Sequence, residues 1–493
     1  MPPWLPDDGC VEFMEKRRLA SEQIRLIAEW VALGAPEGLA ADLPASPPWT
    51  NHWQLGTPDL VVQMPDAYRL PAGGQDVYRN FIVPVPVTTT RYVKAIEFRP
   101  GTKAIHHAFI RVDHSGQSRR LQAQEGGIGF GDMEFPAGTE DLAGHFGSWQ
   151  PGRRPLKMPD GLPVTLSPPI DLVIQIHMQP TGKPESIQSS IGLYFTEVAP
   201  TNTPFKVGLS SYAIDIPPGS KDFSVQDTYT LPIDAQLLGV LPHAHYLAKR
   251  MEGFAKLPNG ATKCLLLIKD WDFNWQSDYR YATPISLPKG TTLSMRFTYD
   301  NSAENVRNPN HPPTRVEYGP QSGDEMAELW FQLLPLHEGD LALFQQDYQK
   351  RLTRDTFELN TIRLRRNPDN AHAHAELAKA LLYQSKIPEA LAHLRKAVAL
   401  QPSNDGAHYH LGVIADGAND TTTALAEFLE AIHYNPSHFM AHNNAGLIYL
   451  NQNRLDEAEF HFKEVLRIHP GDTIGAANLR LVSEARSRNS LKH

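Results

Sequence analysis

Six residues of metal-ligating type stand in strand-like surroundings along this chain. They are His106 and His107 in Ile105-His106-His107-Ala108-Phe109, His177 in Gln175-Ile176-His177, His243 and His245 in Leu241-Pro242-His243-Ala244-His245, and Met326 in Asp324-Glu325-Met326. Side chains alternate faces along a strand, so His243 and His245, closing the apolar run Leu237-Leu238-Gly239-Val240, share a face and can reach one ion. The other reading of that pair is two exposed or hydrogen-bonded histidines near a strand end. Adjacent histidines on a regular strand point apart, so His106 and His107 can share an ion only at a bulge or a strand end. Gln175, two residues before His177, is placed to orient a ligand or to join a path between two centres, or else is a surface amide. Met326 is either a ligand or a core residue. Two imidazoles with a thioether select copper, Cu(I) above all, over zinc or iron, and three histidines suit copper in either oxidation state. Two separate centres suggest one that stores or passes an electron and one that meets oxygen.

The elements that must position these residues differ between front and back of the chain. With 493 residues it is too long for one ordinary core. From Asp59 to about Pro200, short alternating runs such as Tyr92-Val93-Lys94-Ala95-Ile96 are punctuated by Pro and Gly, with no comparable helical stretch; a second such region fills about Phe205 to Pro335. The expected fold is multidomain: two tandem antiparallel β-sandwich, jelly-roll-like domains over 57–200 and 201–340, then an all-α solenoid. His106, His107 and His177 fall in the first sandwich, and His243, His245 and Met326 in the second. At the back, Pro368, Pro402, Pro436 and Pro470 recur every 34 residues, and Ala378/Gly412/Gly446 and Leu394/Phe428/Phe462 keep the same offsets. This is the tetratricopeptide pattern, which predicts three helix pairs and a cap helix over 367–488 and a connecting helix over 341–366. His374, His408 and His442 also recur at 34 residues and are expected to pack rather than ligate. Residues 39–56, with Pro44, Pro47 and Pro48, read as a linker.

The net charge of −9 offers no basic block for phosphates, which argues against nucleic acid and for small molecules or proteins as partners. No run approaches the ~18 apolar residues of a membrane span, and the N-terminus lacks the pattern of a signal peptide. Cys10 and Cys264 are too few for a disulfide framework or a thiolate cluster. Ser21 is expected to cap an amphipathic helix carrying Ile24, Ile27, Ala28 and Val31, stopped by Gly34 and Pro36.

The four motifs Ile105-His106-His107, Gln175-Ile176-His177, His243-Ala244-His245 and Asp324-Glu325-Met326, in this order across two β-domains, resemble the copper type II, ascorbate-dependent monooxygenases. These are the peptidylglycine and dopamine hydroxylating enzymes, and the resemblance covers about residues 57–336. It implies two copper ions per chain: an electron-transfer copper on His106, His107 and His177, and a copper on His243, His245 and Met326 that binds oxygen. The implied activity is hydroxylation of a C–H bond in a small organic substrate by O2, with an external electron donor. Peptide-hydroxylating relatives carry an arginine two residues before the first histidine of His-x-His, where this chain has Leu241. Glu328, two residues after Met326 and expected on the same strand face, would repel a carboxylate and attract a cation, so a peptidylglycine substrate is not expected. The N-terminal stretch, Met1-Pro2-Pro3-Trp4 followed by 18–38, resembles the last part of bacterial c-type cytochrome domains, in which Met1 would be an axial haem ligand. The Cys-x-x-Cys-His attachment motif is absent, so 1–38 reads as a remnant that binds no haem as given, or else as a plain helical arm. The copper and cytochrome context implies an extracytoplasmic, periplasmic setting and a donor that is ascorbate-like or a cytochrome. Two alternatives stand beside the enzyme: a non-catalytic copper-binding protein, and a tetratricopeptide scaffold whose β-domains only present the repeats to a protein partner.

Overall fold

Alternating apolar positions bury one face of several front strands, while the 34-residue period pairs helices at the back. The computed structural model describes residues 4–43, 53–131, 138–319, 321–337, 339–468 and 472–490. The chain divides into two compact units, Met1–Gln345 and Gln346–His493.

The first β-half of the front unit holds two five-stranded antiparallel sheets. In one, Ser190–Thr196 lies between Leu60–Gln63 and Arg91–Arg99. In the other, Asp171–Met178 lies between Val77–Pro84 and Ile105–Asp113. Asp171–Met178 is buried at every position, its polar Gln175 and His177 included. Val83, Leu172, Ile174, Ile176, Ile191 and Leu193 are fully enclosed in one core. Enclosing each such side chain stabilises the fold by roughly 1.5–3 kcal/mol. The second β-half has two four-stranded antiparallel sheets. One runs Phe205–Ser210, Glu328–Pro335, Ala235–His243, Tyr279–Leu287, and the other Phe223–Thr230, Thr292–Tyr299, Ala248–Lys256, Thr262–Ile268.

Three local expectations are corrected, and one disulfide is added. A nine-residue helix, Gln117–Glu125, interrupts the first β-half where none was expected. Its sequence is almost wholly polar, so it has no apolar stripe to betray it; the Asp113 carboxylate instead gathers the backbone N–H groups of Ser115, Gly116 and Ser118 at its start. Ser21 does not cap the first helix but is its first residue. Ala20 is the cap, its N–H donating to Gln23 Oε1 at 2.9 Å. The helix Ser21–Ala32 buries none of its residues. The two cysteines pair: Cys10 and Cys264 form a disulfide across 254 residues of sequence. Residues 4–13, expected in a separate remnant, are straps on the second β-half. Pro6 bridges to Ile268, Phe13 bridges to Tyr281 and stacks on it at 5.1 Å, and Trp4 meets Tyr279 edge-on at 5.5 Å.

The helix Asp340–Arg366 precedes three helix pairs, Ala371–Tyr383/Ile387–Leu400, Asp405–Gly417/Thr421–Tyr434 and Phe439–Asn451/Leu455–Ile468, and a last helix, Thr473–Ser490. Asn370, Asn404 and His438 cap the first helix of each pair by accepting from Ala373, Ala407 and Ala441. Each of those helices ends at an equivalent left-handed residue, Ser385, Asn419 or Asn453, with φ of 59–61°. His374, His408 and His442 do pack, and they do more. Each Nε2 donates to the carbonyl of Pro368, Pro402 or Pro436, and each Nδ1 meets His393, Glu427 or His461 on the second helix at 2.6–2.9 Å.

Candidate metal centre

His177 lies directly opposite His107 in the ladder, but the next residue, Met178, pairs with Ile105. The register therefore skips His106, the extra residue of a bulge, which turns its ring to the side of its neighbours. His106, His107 and His177 each offer a ring nitrogen, and these nitrogens all lie within 4.8 Å of one another. The Nδ1 atoms of His106 and His107 are 3.1 Å apart. Nε2 of His177 donates to Asp76 Oδ2 at 2.7 Å, and Tyr78 stacks on the His177 ring at 4.1 Å. That hydrogen bond fixes the tautomer and leaves the His177 Nδ1 lone pair buried with no partner. Burial, with the nearby His177 ring, pushes His106 down to about 4; His107 is driven well below the usual range by burial, then by the rings around it. His177 is lowered by burial, with Asp76 opposing. The cluster is held neutral, the form in which imidazole binds metal.

The second cluster departs from the expected strand geometry. The strand Ala235–His243 ends at His243, so His245 lies beyond it and alternation does not align the pair. Hydrogen bonds do so instead. His243 Nδ1 donates to Gln276 Oε1 at 2.6 Å and His245 Nδ1 to the Asp324 carbonyl at 3.0 Å, which leaves both Nε2 atoms as acceptors. The two rings are 5.3 Å apart between centroids. Burial, then His243, pushes His245 down to about 3. The fully enclosed Glu325 carboxylate accepts from the backbone N–H groups of His245, Leu247 and Met326 at 2.9, 2.7 and 3.1 Å. One carboxylate thus gathers the His245 loop and Met326. Burial pushes Glu325 up to about 8 against the pull of those N–H groups. The Met326 carbonyl accepts from the Tyr299 hydroxyl at 2.8 Å.

One side chain touches both clusters. Phe273 is 3% exposed and stacks on His106 at 5.3 Å while meeting His245 edge-on at 5.6 Å. It sits in the turn Phe273–Trp275, capped by Asp272, and Gln276 follows directly. A single turn therefore supplies both the ring that touches the two clusters and the partner of His243.

The remaining site expectations fare differently. Gln175 is buried and its Nε2 donates to Asn80 Oδ1 at 3.4 Å, while the residue that holds His177 is Asp76. Glu328 opens the strand Glu328–Pro335 and Met326 precedes it, so the two share no strand face. The Trp330 indole donates to Glu328 Oε2 at 3.0 Å, which occupies part of the carboxylate expected to select substrate. Leu241 lies opposite Trp330 in the ladder, and His243 opposite Glu328. Met1 lies outside the described residues. Sequence reasoning missed Asp76, Tyr78, Phe273, Gln276 and Glu325. Of these only the Asp272-x-Asn274 turn before Gln276 carried a local signal.

The site and fold together describe a β-rich front carrying two histidine clusters, followed by a tetratricopeptide α-solenoid. The tetratricopeptide repeat family model matches residues 364–405, 375–432 and 412–473. Among solved structures, the crystal structure of MamA protein is 22% identical with a TM-score of 0.26, covering 28% of this chain and 78% of that one. The first tetratricopeptide domain of Spaghetti (RPAP3), bound to an HSP90 peptide, is 21% identical with a TM-score of 0.23, covering 24% of this chain and 93% of that one. No curated protein matches the chain. Among the described residues no helix is long and apolar enough to cross a membrane.

Proposed function

We propose that the front unit is a two-centre copper monooxygenase joined to a tetratricopeptide array that binds a protein partner. The observation that carries the copper reading is the buried, unpartnered Nδ1 of His177 among ring nitrogens that all lie within 4.8 Å. Three neutral imidazoles this close have one proton at most to share between the His106 and His107 Nδ1 atoms, and a bound metal ion would give the three nitrogens a common partner. Bound copper would supply the one-electron redox steps and the handling of O2 that side chains lack. The chain's own residues orient and shield. Asp76 fixes the His177 tautomer, Gln276 and the Asp324 carbonyl fix the tautomers of His243 and His245, and Glu325 ties the backbone of Met326 to that of His245. The overall reaction inserts one oxygen atom of O2 into a C–H bond and releases the other as water, drawing two electrons from an ascorbate-like or cytochrome donor. The Cys10–Cys264 bridge supports an oxidising, extracytoplasmic compartment.

What the repeat family match supports is protein interaction. That match favours a second reading, in which the β-rich unit serves only to present the array and copper is absent or inert.

Elemental analysis with oxygen uptake decides between the two. Wild-type protein is expected to hold two coppers per chain, with His107→Ala and Met326→Ala each losing about one and both losing reductant-dependent oxygen uptake. Substoichiometric copper in the wild type, or full copper in both variants, overturns the enzyme reading and leaves the scaffold.

A further inference from the structure

A cavity of about 290 Å³ opens where the N-terminal strap, residues 153–157 of the first β-half and residues 275–280 of the second β-half meet. Five cationic side chains line it, Arg17, Arg153, Arg154, Lys157 and Arg280, against two carboxylates, Glu15 and Asp278. The carboxylates are already engaged: Asp278 pairs with Arg153, and Glu15 lies 3.5 Å from Arg154. Arg17 donates to the Gly152 carbonyl at 2.5 Å and Arg280 to the Lys157 carbonyl, and among the described residues no carboxylate pairs with Arg17, Lys157 or Arg280. Burial, then the Arg154 charge, lowers Arg17 below the usual arginine range, and burial lowers Arg280. A surplus of three positive charges in a recess is a repulsion that an anion relieves. Trp4, Trp275 and Tyr279 add flat apolar walls. The volume is at the small end for organic ligands, near ~300 Å³.

We propose that this cavity is a binding site for a small organic polyanion, a flat body carrying phosphate or carboxylate groups. The arginines and Lys157 take the charged groups and the aromatic walls take the ring. The site needs no metal and shares no residue with the histidine clusters, although Trp275 directly precedes Gln276, the partner of His243.

Tryptophan fluorescence and calorimetric titration of metal-free, full-length protein test it, independently of the copper reading. The probes are adenosine monophosphate, benzene-1,3,5-tricarboxylate, inorganic phosphate and neutral adenosine. Saturable quenching by one of the two flat anions is expected, weakening as salt rises, with inorganic phosphate weaker and adenosine silent. Which flat anion binds more tightly tells phosphate from carboxylate recognition. Arg154→Glu/Lys157→Glu reverses two charges at the exposed rim and is expected to weaken binding at least tenfold with the thermal midpoint unchanged. Trp275→Phe is expected to lose the part of the quenching that Trp4 does not report, while keeping calorimetric binding. Absence of binding by both flat anions at millimolar concentration, equal binding of adenosine, or undiminished binding by a folded charge-reversed variant overturns the proposal.

Discussion

His177 shows how much of a candidate metal site lies outside the residues that would bind the ion. Its inward Nδ1 is available because Asp76 takes the other ring nitrogen at 2.7 Å and Tyr78 fixes the ring plane. Asp76→Asn keeps the shape but offers a weaker acceptor that can turn its amide NH2 towards the ring. Partners of this kind contribute about 10–100-fold in metal affinity. The expected outcome is a loss of that size for one of two coppers in a competitive chelator titration, with the other unmoved. His106, His107, His243 and His245 were legible as candidates because His-His and His-x-His are local patterns, and of the bulge or strand end that alternation demanded for His106 and His107 the ladder shows a bulge. Asp76 and Gln276 were not legible, since they lie 101 and 33 residues from the histidines they hold and obey no spacing rule. Glu328 misled because alternation was extended through Met326, which precedes the strand, and because nothing in its spacing announces the Trp330 indole.

Within the repeats, helix crossing is a matter of matched volumes. The small position is Ala378 where its partner is Leu394, and Gly412 or Gly446 where the partner is Phe428 or Phe462. A Cβ at Gly446 would stand 2.7 Å from the Phe462 ring, and one at Gly412 2.6 Å from that of Phe428. Gly446→Ala gains about 1 kcal/mol of helix propensity but overpacks the crossing at a cost of ~1–3 kcal/mol. The single variant is therefore expected to melt at lower temperature, and Gly446→Ala/Phe462→Leu, which copies the first repeat, to recover part of the loss. A calorimetric scan of the four-member cycle checks the coupling. The 34-residue period made these helices readable one by one. The helix Gln117–Glu125 was not, because the carboxylate that organises its start is in the preceding strand and its polar face has no period to detect.

For the molecule as a whole, acid is the condition most expected to loosen both units. Burial holds His145 in the front unit, and His410 and His461 in the repeats, down to about 4. An unfolded histidine titrates near 6.5, so between about 6.5 and 4 the unfolded chain binds more protons than the folded one. Their contribution is complete above about 6.5 and is lost as pH falls, at up to ~1.4 kcal/mol per pH unit for each group. Melting midpoints are expected to be flat from pH 8 to 7 and to drop from pH 6.5 to 5; a flat profile down to pH 5 would contradict the neutral burial of these rings. The β-rich front and helical back were legible at this scale from alternation, composition and the 34-residue period, whereas the pairing of Cys10 with Cys264 was not, since two cysteines 254 residues apart carry no spacing signal. That bridge makes residues 10–264 a covalent ring containing His106, His107, His177, His243 and His245. A protease that cuts the backbone once anywhere inside the ring cannot separate the pieces. Such nicked protein is expected to run as a single band on a denaturing gel without thiol and as two with it.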